Sequence, residues 1–192
     1  MVADKNDTIN FTQDSQTVQG NLPANMQITN VFVDTVGTTA AQSDILNGIN
    51  AGQSLVNYLG HGSEEEWSGS DIFDENGANS LTNGSQLPVF LIMNCLNGYF
   101  QDVYAQPLAV TLLLAPNGGA AGVLASSGLN QAPPQAMLDA LVVLDAQRST
   151  LGVSIMNAKA GITDPDVRRT YILFGDPAMK LKPPAGSSIE RQ

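Results

Sequence analysis

Two short apolar segments, each ending in a turn that contains glycine, constrain the fold of this chain most strongly. Segments 54–59 and 87–93 contain Leu, Val, Tyr, Phe and Ile, a composition typical of buried strands in a parallel sheet. Segment 118–127 has a similar character with smaller side chains. Helical patterns lie between these segments, and strands that alternate with helices predict an α/β fold. We therefore expect a three-layer sandwich, with a mostly parallel sheet and helices on both faces.

Apolar spacing supplies the remaining predicted elements. It predicts helices over 14–22, 39–51, 103–114, 134–146 and 151–160. It predicts strands over 27–34, 54–59, 87–93 and 118–127, and a last strand or helix over 168–174. Residues 2–7 resemble the tail of a strand that enters a loop, and the stretch 63–86 is rich in Gly, Asn and Ser.

Composition excludes several classes of protein. The 192 residues suit one domain, and 8 basic against 18 acidic residues give a net charge of −10. No basic stripe is present, so we expect no nucleic-acid partner. The most apolar helical segment, 103–114, contains Gln106 and Pro107 and is too short to span a membrane. A single cysteine excludes an internal disulfide. No signal-peptide pattern opens the sequence, and we expect the chain to begin inside a larger protein.

His61 and Cys95, the only histidine and the only cysteine, each follow one of the two apolar segments. In open α/β sheets, active sites lie in the crevice beyond the carboxyl ends of the strands. We therefore expect the imidazole of His61 and the thiol of Cys95 to face the same crevice. A Cys-His peptidase needs this arrangement. Taken alone, a single cysteine or histidine at such a position more often has a structural role than a catalytic one. The glycines that flank His61 and the turn Asn97–Gly98 favour a functional site instead.

Four segments resemble the gingipain family of cysteine peptidases. Residues 52–63 (GQSLVNYLGHGS), with Trp67 close behind, resemble the family's histidine block, and residues 87–98 (LPVFLIMNCLNG) resemble its cysteine block. Residues 125–127 (ASS) and 173–181 (LFGDPAMKL) are similar to later landmarks in the same order. The family shares a caspase-like fold with caspases and legumain. The resemblance implies a gingipain-like catalytic domain over 1–182, truncated at its N-terminus, and a linker over 183–192 toward a removed C-terminal region.

The resemblance also implies roles for matched residues. Cys95 would be the nucleophile that forms a thioester, and His61 would be the general acid and base. The backbone amides of Gly62 and Cys95 would form the oxyanion hole. Substrate-binding residues would be Ser126, Ser127 and Gln131.

Acidic residues around this site have two interpretations. The family carries an upstream acid that steadies the histidine, and Asp4 or Asp7 could serve, although ordinary loop acids are the favoured interpretation. Asp102 and the run 64–66 (EEE) could attract a basic side chain, but a solvated acidic face explains them equally well. The arginine-specific members place a tryptophan after the Ala-Ser-Ser-like strand. Residues 128–134 (GLNQAPP) contain none, so arginine preference does not follow.

Metal binding is a weaker expectation. Asp71, Asp74, Glu75 and Asn76 form an oxygen-rich segment that could hold calcium, an ion that gingipains bind. The spacing lacks the full helix-loop-helix calcium pattern, and a surface turn is the favoured interpretation. One histidine and one cysteine are too few for a structural zinc site. We therefore assign no metal ligand and expect no required cofactor, with calcium as a possible structural ion.

The expected function is a cysteine endopeptidase that acts on peptides or proteins. By resemblance, it would be secreted or on the cell surface, within a longer precursor that has flanking domains. A non-catalytic binding or scaffold module on the same fold, within a secreted multidomain protein, is the main alternative. A small-molecule acyl or amide hydrolase that uses the same dyad is a third interpretation.

Overall fold

The computed structural model describes residues 1–67 and 69–182. Its strands are β1 (Val2–Ala3), β2 (Val31–Phe32), β3 (Leu55–Leu59), β4 (Glu66–Trp67), β5 (Phe73–Asp74), β6 (Val89–Met93), β7 (Gly122–Ser126) and β8 (Tyr171–Phe174). Its helices are α1 (Phe11–Gln19), α2 (Val33–Val36), α3 (Thr38–Asn50), α4 (Glu75–Asn79), α5 (Leu108–Leu114), α6 (Ala132–Asp145), α7 (Leu151–Gly161) and α8 (Pro165–Thr170). The predicted linker 183–192 lies outside the described residues.

A six-stranded sheet in the order β2-β1-β3-β6-β7-β8 forms the centre of the fold. All neighbouring strands in it run parallel, except that β8 is antiparallel to β7. A separate antiparallel pair, β4 and β5, lies in the loop after β3. The sheet is therefore mostly parallel, as the alternation of apolar segments and helices predicts.

Helices cover both faces of this sheet. In β6, Phe90 and Ile92 point into a core that also holds the buried faces of α3 and α5. Val89, Leu91 and Met93 point into a second core with α1, α6 and α7. Because both faces of β6 are buried, the strand reads as a continuous apolar run without alternation. The three-layer sandwich expected from the sequence is confirmed.

Some element boundaries differ from those predicted. The helix predicted over 103–114 begins only at Leu108, after Pro107 in extended backbone, because a proline disfavours helical geometry in the residue before it. The first helix begins at Phe11, since the Asn10 side chain accepts a hydrogen bond from Gln13 N and caps it. Residues 168–174 contain both the end of α8 and all of β8.

The strand predicted over 27–34 is also shorter than expected. Only Val31–Phe32 forms strand, and α2 follows at once. Val31 and Phe32 pair with Val2 and Ala3 of β1, and the start of α2 at Val33 ends the strand.

The polar stretch 63–86 contains the β4–β5 pair and α4 and is anchored by Trp67. Trp67 is fully buried and stacks on Tyr58 with ring centroids 4.1 Å apart. It therefore packs the loop after His61, as expected from the sequence. Within 1–67 and 69–182, no helix is long and apolar enough to cross a membrane.

Candidate active site

The register of two neighbouring strands brings His61 and Cys95 to the same edge of the sheet. Strands β3 and β6 are parallel, and Leu59 pairs with Met93. The Gly60 N–H donates to Met93 O at 3.2 Å, so the pairing continues beyond the strand ends. Two residues further, His61 follows β3 as Cys95 follows β6. The expectation that both residues fall at the same end of adjacent strands is confirmed.

Gly62 lies against the turn that carries Cys95. A Cβ atom on Gly62 would overlap the Asn94 amide and would lie 2.8 Å from the Cys95 carbonyl oxygen. Only glycine permits this close approach of the two backbones. Within the described residues, neither the Gly62 nor the Cys95 N–H donates to a protein acceptor. Both amides are thus available to a substrate oxygen, although their role as an oxyanion hole stays a prediction.

The His61 ring is held by Asp7. The Nε2 atom of His61 lies 2.9 Å from Asp7 Oδ2, and the two side chains are 49% and 47% exposed. The other Asp7 oxygen accepts the Ile9 N–H at 2.7 Å, and the Phe11 ring packs edge-on to the imidazole. The hydrogen bond with His61 lowers the pKa of Asp7, which keeps this carboxylate ionised. Asp7 therefore fixes the ring orientation and leaves Nδ1 as the nitrogen open to proton exchange.

Asp4 holds the backbone of the same residue from inside the protein. It is fully buried, and its Oδ2 accepts the His61 N–H and the Tyr58 hydroxyl, each at 3.2 Å. The Tyr58 hydroxyl also lies 2.8 Å from the His61 carbonyl oxygen. Burial, together with the charge of Asp4, raises the pKa of Tyr58 well above its usual value. Tyr58 therefore stays protonated as a donor.

The interpretation of Asp4 and Asp7 as ordinary loop acids is wrong. Both residues follow β1, which lies beside β3 in the sheet. One touches the imidazole of His61 and the other touches its amide. Asp4 and Asp7 reach His61 because β1 and β3 are adjacent strands.

The Cys95 thiol is partly buried and contacts one residue that the sequence did not single out. Its Sγ lies 3.4 Å from the N atom and 3.6 Å from the O atom of Asn130. Within the described residues, the sulfur makes no hydrogen bond to the His61 ring. Catalytic hydrogen bonds are often long in ligand-free structures and tighten with substrate, so this geometry is compatible with a working dyad.

Asn97 joins the loop after His61 to the turn that carries Cys95. Its Nδ2 donates to Ser63 O at 2.5 Å and to Glu66 O at 3.1 Å, and its Oδ1 accepts from Asn94 Nδ2 at 2.6 Å. The sequence predicts only a tight turn at Asn97–Gly98. No signal in a single sequence shows that its amide bridges two loops.

The three residues predicted to bind substrate have different surroundings. Ser126 is fully buried, and its hydroxyl contacts the loop that follows β7 and Thr170 at the end of α8. The Ser127 hydroxyl donates to Thr170 O at 3.0 Å, whereas Gln131 is exposed. In this conformation the Ser126 hydroxyl supports the loop, and substrate contacts by all three residues stay predictions.

The oxygen-rich segment supports a helix terminus. Asp74 caps α4 by accepting the Gly77 N–H at 2.7 Å, and its other oxygen accepts from Asn76 Nδ2 at 3.1 Å. No three His, Cys, Asp or Glu side chains converge as a metal site in the described part of the chain. Both oxygens of the Asp74 carboxylate therefore already accept hydrogen bonds within the protein, and calcium binding stays a prediction.

Comparison with known proteins agrees with this geometry. A family model described as Peptidase family C25 matches residues 1–182. Gingipain R2 and gingipain R1 of Porphyromonas gingivalis are each 27% identical over 157 residues, which cover 72% of this chain. The matched region is 21% of gingipain R2 and 16% of gingipain R1, so the chain spans about a fifth of these curated relatives.

Solved structures show the same fold. The crystal structure of the Arg-specific cysteine proteinase gingipain R superposes with a TM-score of 0.79 at 22% identity, covering 94% of this chain and 47% of that one. A complex of Porphyromonas gingivalis RgpB pro- and mature domains gives 0.76 at 21% identity, covering 94% of this chain and 48% of that one. The caspase-like sandwich is thereby confirmed. Because the family model matches nearly the whole chain, this protein belongs to the gingipain-like cysteine peptidases of Peptidase family C25.

Proposed function

We propose that this protein is a cysteine endopeptidase in which Cys95 attacks the substrate and His61 transfers protons. The observation that carries the proposal is the β3–β6 register, which brings the only thiol and the only imidazole to one edge of the sheet. Membership of a cysteine peptidase family supports it. The Asp7 contact supports it further, because a ring held at Nε2 is oriented before substrate arrives.

The reaction follows from these groups. The Cys95 thiolate attacks the carbonyl carbon of the scissile peptide bond, and a C–S bond forms. The carbonyl oxygen becomes an oxyanion that accepts hydrogen bonds from the Gly62 and Cys95 amides, and one such donor lowers the barrier by about 3 kcal/mol. The C–N bond then breaks as the His61 imidazolium gives its proton to the leaving amine.

A thioester on Cys95 remains after the amine leaves. Water attacks this thioester while His61 takes a proton from the water, and the C–S bond breaks to release the acid product. The sulfur leaves as a thiolate beside a protonated imidazole, so both groups return to their starting states. Ionised Asp7 stabilises the imidazolium in each half of the cycle.

Peptides or proteins are the proposed substrates, and the loop after β7 is the proposed site of selectivity. Leu129 is 71% exposed there, and Gln131 is exposed beside it. Residues 128–134 contain no acidic side chain and no tryptophan, so the arginine specificity in the description of gingipain R is not carried over. We propose a secreted or surface location and flanking domains by analogy with the family.

Cleavage of a mixed peptide library tests this function. The library is incubated with the whole protein, and new termini are identified by mass spectrometry beside matched Cys95→Ala and His61→Ala variants. We expect cleavage by the wild type and loss of cleavage in both variants. Equal cleavage by wild type and Cys95→Ala would refute the mechanism. If no peptide is cut by any of the three, a binding or scaffold role replaces the proposal.

A further inference from the structure

Three side chains from separate parts of the chain form a ring of hydrogen-bonding contacts next to Cys95. Asn130 Nδ2 donates to Ser126 Oγ at 2.5 Å. The Ser126 hydroxyl lies 3.0 Å from Thr170 Oγ1, and Thr170 Oγ1 lies 3.1 Å from Asn130 Oδ1. We call Ser126, Asn130 and Thr170 the polar ring. It joins the end of β7, the following loop and the last residue of α8.

Among the described hydrogen bonds, Asn130 is the only residue whose backbone contacts the Cys95 sulfur. The polar ring holds this residue in place. Asn130 presents its N–H and its carbonyl oxygen to Cys95 Sγ at 3.4 and 3.6 Å. Its side chain lies in the polar ring, so the amide that faces the thiol cannot move without breaking contacts with Ser126 or Thr170. The ring thereby determines where this backbone lies relative to the sulfur.

Thr170 is the anchor of the polar ring. Its Oγ1 also lies 2.7 Å from Asp166 O within α8, so its single proton is shared between Asp166 O and Asn130 Oδ1. Its carbonyl accepts the Ser127 N–H at 2.8 Å. A Cβ on Gly128 would lie 2.7 Å from Thr170 Cγ2, so the loop backbone packs directly on this side chain. Thr170 makes no hydrogen bond to the sulfur itself, and any effect on it must pass through Asn130.

We propose that Thr170, acting through Asn130, is a positioning residue for the Cys95 nucleophile. The inference rests on the proposed peptidase function. The polar ring holds the loop 127–130 at the side of the crevice. It thereby fixes the position of the Cys95 sulfur and keeps the loop in the conformation that a bound peptide needs. Without the Thr170 hydroxyl, this loop becomes more mobile. The Cys95 sulfur is then more exposed, but it no longer lies in the correct position relative to a bound peptide.

This role predicts opposite effects on two reagents. Iodoacetamide is small and needs no peptide site, so a loosened loop leaves its reaction with Cys95 unchanged or faster. A peptidyl chloromethyl ketone reacts only when its peptide is held in register with the sulfur, and small misplacements are costly for such reactions. The ratio of the two rates therefore reports positioning, whereas simple exposure of the thiol cannot lower the ketone rate.

The test compares Thr170→Val, which keeps the shape of the side chain, with Thr170→Ser, which restores the hydroxyl. Thr163→Val is the matched control, because Thr163 is an exposed threonine between α7 and α8. Both alkylation rates are measured on the whole protein, with a thermal melt for each variant. We expect the ketone-to-iodoacetamide ratio to fall by about tenfold or more in Thr170→Val, to recover in Thr170→Ser and to be unchanged in Thr163→Val.

The outcomes separate this inference from the proposed function. A wild-type protein that prefers the peptidyl ketone, with a Thr170→Val variant of equal preference, refutes the positioning role alone. A wild-type protein with no preference refutes the peptidase function, and the positioning role falls with it. If Thr170→Val does not fold, Asn130→Ala removes the side-chain contacts of Asn130 with Ser126 and Thr170 and must lower the ratio instead.

Discussion

Replacing Asp139 by asparagine should remove the decrease in folding stability that titration of this carboxyl group produces as pH rises from mildly acidic to neutral values. Asp139 lies on α6 and is fully buried against the sheet. Its two carboxylate oxygens lie 2.8 and 2.7 Å from Asn57 Nδ2 on β3. Burial raises the pKa of Asp139 from 3.8 to about 7, and the hydrogen bond from Asn57 offsets only part of this rise.

The sign and size of the effect follow from this shift. Between pH 3.8 and about 7, the folded protein binds a proton at Asp139 more tightly than the unfolded chain does. Stability therefore falls as pH rises through this window: the contribution is complete below the lower value and is lost above the upper one. A shift of about three pH units, at about 1.4 kcal/mol each, corresponds to roughly 4 kcal/mol. That is a large part of the ~5–15 kcal/mol typical of a domain.

Urea unfolding measures this directly. Wild type and Asp139→Asn are compared from about pH 5 to about pH 8, both carrying Cys95→Ala to prevent self-cleavage. Asp44→Asn is the control, since Asp44 is exposed on α3. In the wild type, titration of Asp139 should lower the free energy of unfolding by roughly 3 kcal/mol between about pH 5 and about pH 7, two pH units at about 1.4 kcal/mol each. This decrease should be absent in Asp139→Asn, and the control curve should follow the wild type. The buried Met1 amino group, whose pKa is lowered to about 6, contributes with the opposite sign in both proteins, so the quantity compared is the difference between the two curves. Parallel curves for wild type and Asp139→Asn would show that Asp139 is not protonated in the folded state, and the burial argument would be wrong.

Three further substitutions test the architecture of the site. Asp7→Asn should lower kcat for peptide hydrolysis by roughly tenfold or more, because it removes the charge that orients His61; an unchanged kcat and pH profile would contradict this role. Gly62→Ala should destabilise the protein by about 1–3 kcal/mol and reduce activity, since its methyl group would overlap Asn94; a thermal melt and a peptidase assay equal to wild type would exclude the close approach. Asn97→Ala should cost about 1–3 kcal/mol in urea unfolding, since it leaves backbone carbonyls of the loop after His61 unpaired, and a change within error would count against the bridge between the two loops.

The central strands could be predicted from the sequence because burial on both faces leaves a clear signal. Strands β3 and β6 coincide closely with the apolar segments 54–59 and 87–93. Their shared edge placed His61 and Cys95 together. Helix and strand boundaries that depend on single residues were less predictable. Pro107 and Asn10 each decide where a helix begins, and β2 ends where α2 begins at Val33.

The supporting contacts of the site could be predicted only in part, since they depend on strand order. The family resemblance indicates Asp4 or Asp7 as the acid beside His61, but not which atom of His61 each one contacts. Asp4 and Asp7 reach His61 because β1 lies beside β3. Thr170 reaches Asn130 because β8 lies antiparallel beside β7. Apolar periodicity identifies strands but does not state which strands are neighbours, so by itself it predicts no contact between residues far apart in sequence.

Intact mass after incubation with peptidyl chloromethyl ketones tests the central claim most directly. A panel that differs in the residue next to the reactive group is applied to the whole protein, to Cys95→Ala and to His61→Ala. The peptidase mechanism predicts a single adduct that forms faster than the iodoacetamide adduct, is absent in Cys95→Ala and is strongly slowed in His61→Ala. An adduct that persists in Cys95→Ala, or a panel in which no ketone reacts faster than iodoacetamide, would contradict it.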